Sequence, residues 1–417
     1  MREASRVTHP FLASLEPARV IQLAQEMIRT PSFCKEEKNV ADWAVQTMEA
    51  MGFDEVWQQE VSPGRPNVFG RLRGSDGGPS ILFNGHLDHN MVCDGWRRDP
   101  FAGEVQDGWL YGLGAANMKA GDAAMLAAME AVRKSGVRPK GDLTIAFVVG
   151  ELEGGLGTRA ALAQGLRADM FLLAEPTELG IVTMHAGVVQ VRIIVHGEMR
   201  HYTTRAGRKL HAIEKAMRIA RALGPSYETI PPAPAGWMTF TPKPEYEGLP
   251  RLNLGVIRGG MTPAVLTWRS SLIPDYCEMI YDLRIVPGQS PDTVMHDLRR
   301  VLDGLRAEDP DLRVDVELVR EHIYFPPFEV PLESPVVTTM VAAHREVFGN
   351  EPSVGALAPT KYAGADSAHM LAAGIPGVMY GPAGKFLSVP DERVEVDSVV
   401  KASQVFASAI ARAWGMA

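Results

Sequence analysis

The residues best suited to chemistry stand where an apolar run stops. Ile81, Leu82 and Phe83 lead into Gly85-His86-Leu87-Asp88, the pattern of a buried strand delivering polar side chains at its C-terminal tip. A His and an Asp two positions apart on extended backbone point the same way. His86 can therefore hold a metal ion while Asp88 orients and polarises the imidazole. Alone, such a pair is more simply two polar residues closing a strand. Two further apolar runs change the balance, because Leu143 to Val149 leads to Glu151 and Met170 to Ala174 leads to Glu175.

Elements must bring these residues together. Pro17 to Met51 reads as a helical pair broken at Thr30-Pro31-Ser32. A short strand is expected around Asn67 to Gly70, a helix from Ala120 to Gly136, and a late strand through Val378, Met379 and Tyr380. Apolar strands alternating with helices imply an α/β domain built on a mostly parallel sheet with helices on both faces. Such sheets bind ligands beyond the strand C-termini, so His86, Glu151 and Glu175 are expected to converge. From residue 188 to 324 the pattern changes to a βαββαβ order, beginning with a period-two strand in Val188 to His196. That suits a small inserted α+β domain. The expected division is 1–187 with 325–417 for the catalytic domain and 188–324 for an inserted lid and dimerisation domain.

Composition narrows the partners. The 417 residues are 46% hydrophobic and carry a formal charge of -8, with no basic run for nucleic acid or a membrane surface. No stretch reaches membrane-span length, and the N-terminus lacks a secretory layout. The three cysteines, Cys34, Cys93 and Cys277, are too few and scattered for a disulfide framework; Cys93, near His86, lacks a CxxC or His partner pattern. A cytoplasmic protein acting on a small molecule is expected.

The motifs GHLD, GW-x-x-DPF, DGWLYGLG-x-x-NMKAG, GGLGTR, AEPT, the His of GEMRH, YDLR and GIP-x-x-x-YGP are specific in combination. Across nearly its whole length the chain resembles the aminoacylase, acetylornithine deacetylase and glutamate carboxypeptidase family of two-domain metallohydrolases. The resemblance implies two zinc ions roughly 3.5–4 Å apart that share a bridging carboxylate and activate water, with a Glu as general base. It places His86 and Glu175 as ligands of one metal, Asp88 as the partner of His86, and Glu151 as the base. The bridging Asp, however, falls on Asn117, the second Glu of the pair on Leu152, the late His ligand on Ser388, and a lid Asn that helps hold the oxyanion on Ser271. Leu cannot coordinate, and Asn offers a neutral oxygen where a bridging anion belongs. A shifted register would let Glu153 replace Leu152.

The expectation is a hydrolase with one weakly held divalent ion, manganese or zinc, on His86, Glu175 and the Asn117 side-chain oxygen. Glu151 would deprotonate water, His201 would stabilise developing negative charge, and Arg284 would clamp a substrate carboxylate. Ser388 and Ser271 are assigned to substrate. With oxyanion support altered, a substrate that disperses its own charge fits, such as a nitro-substituted anthranilate (5-nitroanthranilate) losing ammonia. The alternatives are an ordinary N-acyl amino acid deacylase or carboxypeptidase, and an inactive small-molecule-binding pseudoenzyme. A homodimer through the inserted domain, or a higher homo-oligomer, is expected from its uncovered edge strand. His89, His369, His196 and His211 read as structural, His185 as a hinge or site residue, Lys385 as a solvated lysine, and Asp366 as a site residue or a helix N-cap.

Overall fold

The computed structural model describes residues 9–75, 77–203, 210–262, 270–319 and 323–416. The chain divides into two compact units. One comprises residues 1–184, 328–361 and 365–417, and the other residues 185–327 with 362–364.

The larger unit is built on an eight-stranded sheet. Its order is Glu55–Ser62, Arg65–Leu72, Leu143–Val148, Ile81–His86, Met170–Leu173, Gly377–Met379, Ile181–Val182, Val354–Gly355. The four central strands, Leu143–Val148 to Gly377–Met379, run parallel, whereas the two first strands pair antiparallel. Every residue of Ile81–His86, Leu143–Val148 and Met170–Leu173 is buried, which is why their sequences are continuous apolar runs and not alternating ones. Helices cover both faces. Asn84 donates to Thr158 Oγ1 at 3.1 Å on helix Leu156–Ala163, while the next residue, Gly85, faces Asp122 on helix Ala120–Lys134. A Cβ on Gly85 would sit 1.8 Å from Asp122 Oδ1, so only glycine fits that close approach. The helix Ala120–Lys134 is buried over most of its surface, packing on Pro17–Ile28 and Val396–Ala413. Its alanines and methionines are explained by that packing.

The expected strand at Asn67 to Gly70 extends over Arg65–Leu72 and pairs with Glu55–Ser62, an outer strand whose polar sequence hid it. A small four-stranded sheet joins Gly384–Lys385, Arg393–Glu395, Trp109–Tyr111 and Glu104–Gln106. Strands of two or three residues carry too little periodicity to be read from sequence. Among the described residues, no helix is long and apolar enough to cross a membrane.

The second unit has an antiparallel sheet in the order Arg251–Gly260, Tyr276–Ile285, Gly187–His196, Arg313–Leu318, with helices Ala212–Leu223 and Pro291–Glu308. Along Gly187–His196 the buried residues Val189, Val191, Ile193 and Val195 alternate with half-buried ones, as expected of a sheet covered on one face. Each such side chain contributes about 1.5–3 kcal/mol on burial. Residues 362–364 join this unit because Arg251 stacks 3.9 Å from the Tyr362 ring centroid and Arg284 Nη1 donates to the Tyr362 carbonyl at 3.2 Å.

Candidate active site

The parallel strands set the geometry. His86 stands opposite Val148 in the register, and Leu173 stands opposite Asn84. Glu151 and Glu175 follow their strands by three and two residues, so all three groups project beyond one edge of the sheet. Gly150, at φ +68°, turns the chain immediately before Glu151, a conformation that glycine adopts without strain.

His86 is the centre of the cluster. Its Nε2 lies 3.0 Å from Asn117 Oδ1 and 3.5 Å from Glu175 Oε1. With metal–ligand bonds of about 2.1 Å, two ligand atoms on one ion stand roughly 3.0 Å apart at a right angle and roughly 3.4 Å apart at a tetrahedral one. Each of these two separations is compatible with a pair of ligands on one divalent ion. Burial works against a charge on His86, but Glu175, Glu151 and Asp88 overcome it and raise its pKa well above the ordinary value. Glu151 is buried, and that burial raises its pKa well above the ordinary value; His86 opposes the rise, while Glu175, Asp366 and Asp88 add to it. Burial likewise raises Asp88.

Several expected roles come out differently. His86 Nδ1 pairs with the Asp88 main-chain carbonyl at 2.8 Å, while the nearer Asp88 carboxylate oxygen is 3.7 Å away. The carboxylate instead accepts the N–H groups of Glu151 and Leu152 at 3.1 and 3.0 Å. Asp88 thus orients the turn that carries Glu151, and its backbone orients the imidazole. Glu153 does not replace Leu152 in a ligand set, because its carboxylate pairs with Arg65 at 2.7 Å and Lys35 at 3.7 Å. Among the described residues, the clustered Cys, His, Asp and Glu ligand atoms are those of Cys34, Glu37 and Asp88. That trio is already committed. Arg65 Nε holds Glu37 at 2.8 Å, Asp88 holds two backbone N–H groups, and burial with the nearby carboxylates pushes the Cys34 thiol up to about 12.

Two carboxylates were not singled out in the sequence. Asp122 is fully buried, and among the described residues neither of its oxygens has a hydrogen-bond partner. Burial drives its pKa well up. Glu392 accepts the N–H groups of Gly114, Ala116, Asn117 and Ser388, with burial holding it at about 7. No local pattern announces that Glu392 accepts N–H donors from Gly114, Ala116 and Asn117, far away in the sequence. Asp366 makes no cap hydrogen bond at the start of Ser367–Ala372; it is buried, which raises it to about 7. His89 is structural, with Nε2 accepting from Ser32 N at 2.9 Å. His369 Nε2 pairs with the Gly154 carbonyl at 3.0 Å. Lys385 stacks over Trp109.

In the second unit, Arg200–His201 pairs antiparallel with Leu272–Ile273, and Tyr202 N donates to Ser271 O at 3.0 Å. His201 and Ser271 therefore share one ribbon. Arg284 differs from its expected role. Nε and Nη2 bind the two oxygens of Asp282 at 2.6 and 3.2 Å, so the fork is filled by the side chain two positions back on the same strand face.

With this geometry in place, the comparisons with known proteins are direct. The model of peptidase family M20/M25/M40 matches residues 82–412, and the chain belongs to that family. It is 26% identical over 412 residues to the N-formyl-4-amino-5-aminomethyl-2-methylpyrimidine deformylase of Bacillus subtilis, covering 93% of this chain and 92% of the relative. It is 30% identical over 412 residues to a succinyl-diaminopimelate desuccinylase of Methylorubrum extorquens, covering 93% and 96%. The fold is that of the M20 family metallo-carboxypeptidase Sso-CP2 from Sulfolobus solfataricus, with a TM-score of 0.76, 17% identity and coverage of 94% and 98%. The protein is a hydrolase of carbon–nitrogen bonds.

Proposed function

We propose that this enzyme hydrolyses a C–N bond in a small carboxylate-bearing molecule with one labile divalent ion, manganese or zinc, held by His86, Glu175 and Asn117. The observation that carries the reading is the convergence of Asn117 Oδ1 and Glu175 Oε1 on His86 Nε2; by the resemblance, Leu152 and Ser388 stand where a second ion would need ligands. The ion supplies Lewis-acid activation of water. Glu151, in a dry site where its pKa is raised, takes the proton from the attacking water and returns it to the leaving nitrogen. Asp88 keeps the Glu151 turn in place through its two backbone hydrogen bonds. By the resemblance, His201 with Ser271 beside it would stabilise developing charge, and Ser388 would meet substrate. Arg284, filled by Asp282, would take a substrate carboxylate only by exchanging partners.

An activated aromatic amine such as 5-nitroanthranilate is the proposed substrate class. Water adds to the ring carbon bearing nitrogen, the nitro-substituted ring accepts the electron pair, and ammonia leaves as the phenol forms. This chemistry needs less oxyanion support than an acyl transfer does. An N-acyl amino acid deacylase, or carboxypeptidase, is the second reading, favoured by the deformylase and desuccinylase relatives. By the proposed reading the enzyme acts in the cytoplasm as a homodimer through the inserted domain, or as a higher homo-oligomer; the exposed Val256 and Ile257 on the edge strand Arg251–Gly260 support such pairing.

Calorimetric titration with manganese and zinc tests the centre. About one ion per chain, lost in His86→Ala, is expected; two ions would restore a dinuclear deacylase. Ammonia released from 5-nitroanthranilate supports the aromatic reading, whereas turnover of N-acyl amino acids without ammonia release from the aromatic amine overturns it.

A further inference from the structure

The buried carboxylate of Glu392 does more than close a loop. Its Oε1 accepts Ala116 N at 2.9 Å and Asn117 N at 3.0 Å, and its Oε2 accepts Gly114 N at 2.9 Å and Ser388 N at 3.2 Å. One side chain, fully buried, thus satisfies four backbone donors from two segments far apart in sequence. Hydrogen bonds to an ionised acceptor are about twice as strong as neutral ones, and each buried N–H would otherwise be left unpaired.

Both segments need holding. Gly114 has φ +77°, and Phe386, Ser388 and Asp391 have φ +59°, +60° and +62°. Three non-glycine residues in the left-handed region within six positions cost on the order of 1–2 kcal/mol each, and such conformations persist where surrounding contacts over-determine them. Further contacts help hold the second loop. Arg97 N donates to Asp391 Oδ1 at 3.1 Å, and the Arg393 guanidinium lies 4.9 Å from the Phe386 ring centroid. Glu392 alone among these reaches both segments.

We infer that Glu392 is a positioning residue, a carboxylate clamp that fixes Asn117 and Ser388 in one frame beside His86 without touching ion or substrate. The inference rests on the reading above that Asn117 contributes to the ion site and Ser388 to the substrate site. Groups that orient metal ligands are worth roughly 10–100-fold in metal affinity when removed, so the clamp sets affinity from one layer out.

The test is manganese(II) titration of wild type, Glu392→Gln and Glu392→Asp, with hydrogen exchange of peptides spanning 114–117 and 386–392. Gln keeps the size but replaces one acceptor oxygen with a donor facing backbone N–H groups. Expected is a 10–100-fold loss of manganese affinity in Glu392→Gln, a smaller loss in Glu392→Asp, and faster exchange in both peptides. If Glu392→Gln fails to fold, Glu392→Asp carries the same readouts. A variant with a lower melting temperature but unchanged affinity per folded molecule makes Glu392 merely structural and overturns the inference, as does exchange that quickens in one segment only. If the wild-type protein binds no manganese, the underlying ion reading fails in the wild type itself, and the inference falls with it.

Discussion

Glu278 in the second unit and Glu151 in the larger one are buried carboxylates held in opposite ways. In the second unit Glu278, 1% exposed, is gripped from both sides: Arg192 Nε stands 2.8 Å from Oε1, and Arg258 and Tyr276 bind Oε2. Burial alone would raise its pKa, but those partners bring it below the ordinary value. Asp297 is held likewise by Thr239 and Arg300. In the larger unit, Asp88, Glu151 and Asp122 are equally buried at the sheet's C-terminal side, and burial raises all three. The attractive charge that acts on Glu151 is His86. A buried charge is tolerated when it is paired, so the second unit's carboxylates are explained by the fold. In the larger unit Arg65 grips Glu37 in the same way, whereas burial dominates at Glu151 and Asp122, the pattern of a functional site.

The sharpest break of this contrast is Glu151→Gln. It removes the proposed base and should lower kcat by about 10²–10⁴-fold while leaving the unfolding midpoint unchanged or raised, measured by steady-state assay beside a denaturant melt. Glu278→Gln should do the reverse. Breaking a buried ion pair costs about 3–5 kcal/mol, visible in urea unfolding. Because the folded pKa of Glu278 is depressed, its stabilisation is present above the ordinary carboxylate range and is lost as pH falls through the folded value. The variant should lack that acid-side loss, and an unaltered pH profile would show that Glu278 is not held as an anion.

Asp122→Asn gives the smallest of these effects, with the opposite sign. The folded pKa of Asp122 is raised, so wild-type stability falls as pH climbs from the ordinary carboxylate range towards the folded value. The variant should flatten that decline and stabilise the metal-free protein at neutral pH by about 1 kcal/mol. Destabilisation by Asp122→Asn would mean that the carboxylate is already paired in the resting protein.

How much of this was written in the chain varies by residue. The strand-end positions of His86, Glu151 and Glu175 were legible because the short apolar runs Ile81–Phe83, Ile145–Val149 and Met170–Ala174, stopping at polar or glycine residues, leave a local signature. The βαββαβ order was legible because period-two strands and amphipathic helices differ in periodicity. The roles of Asp88, Glu153 and Arg284 were not. Each depends on which neighbour reaches it first: the Glu151 turn, Arg65 and Asp282. Glu392 and Asp122 escaped notice because a residue's burial and the donors facing it are settled across hundreds of positions.

The amino-acid sequence by itself determined the residue types available, among them Asn117, Leu152 and Ser388 at the positions where the resemblance implies metal ligands. A side chain without a donor atom cannot acquire one by folding. Only the tertiary structure decided which of the acids are paired with arginine and which are not, because charge pairing acts over a few ångströms in space and leaves no spacing in the chain.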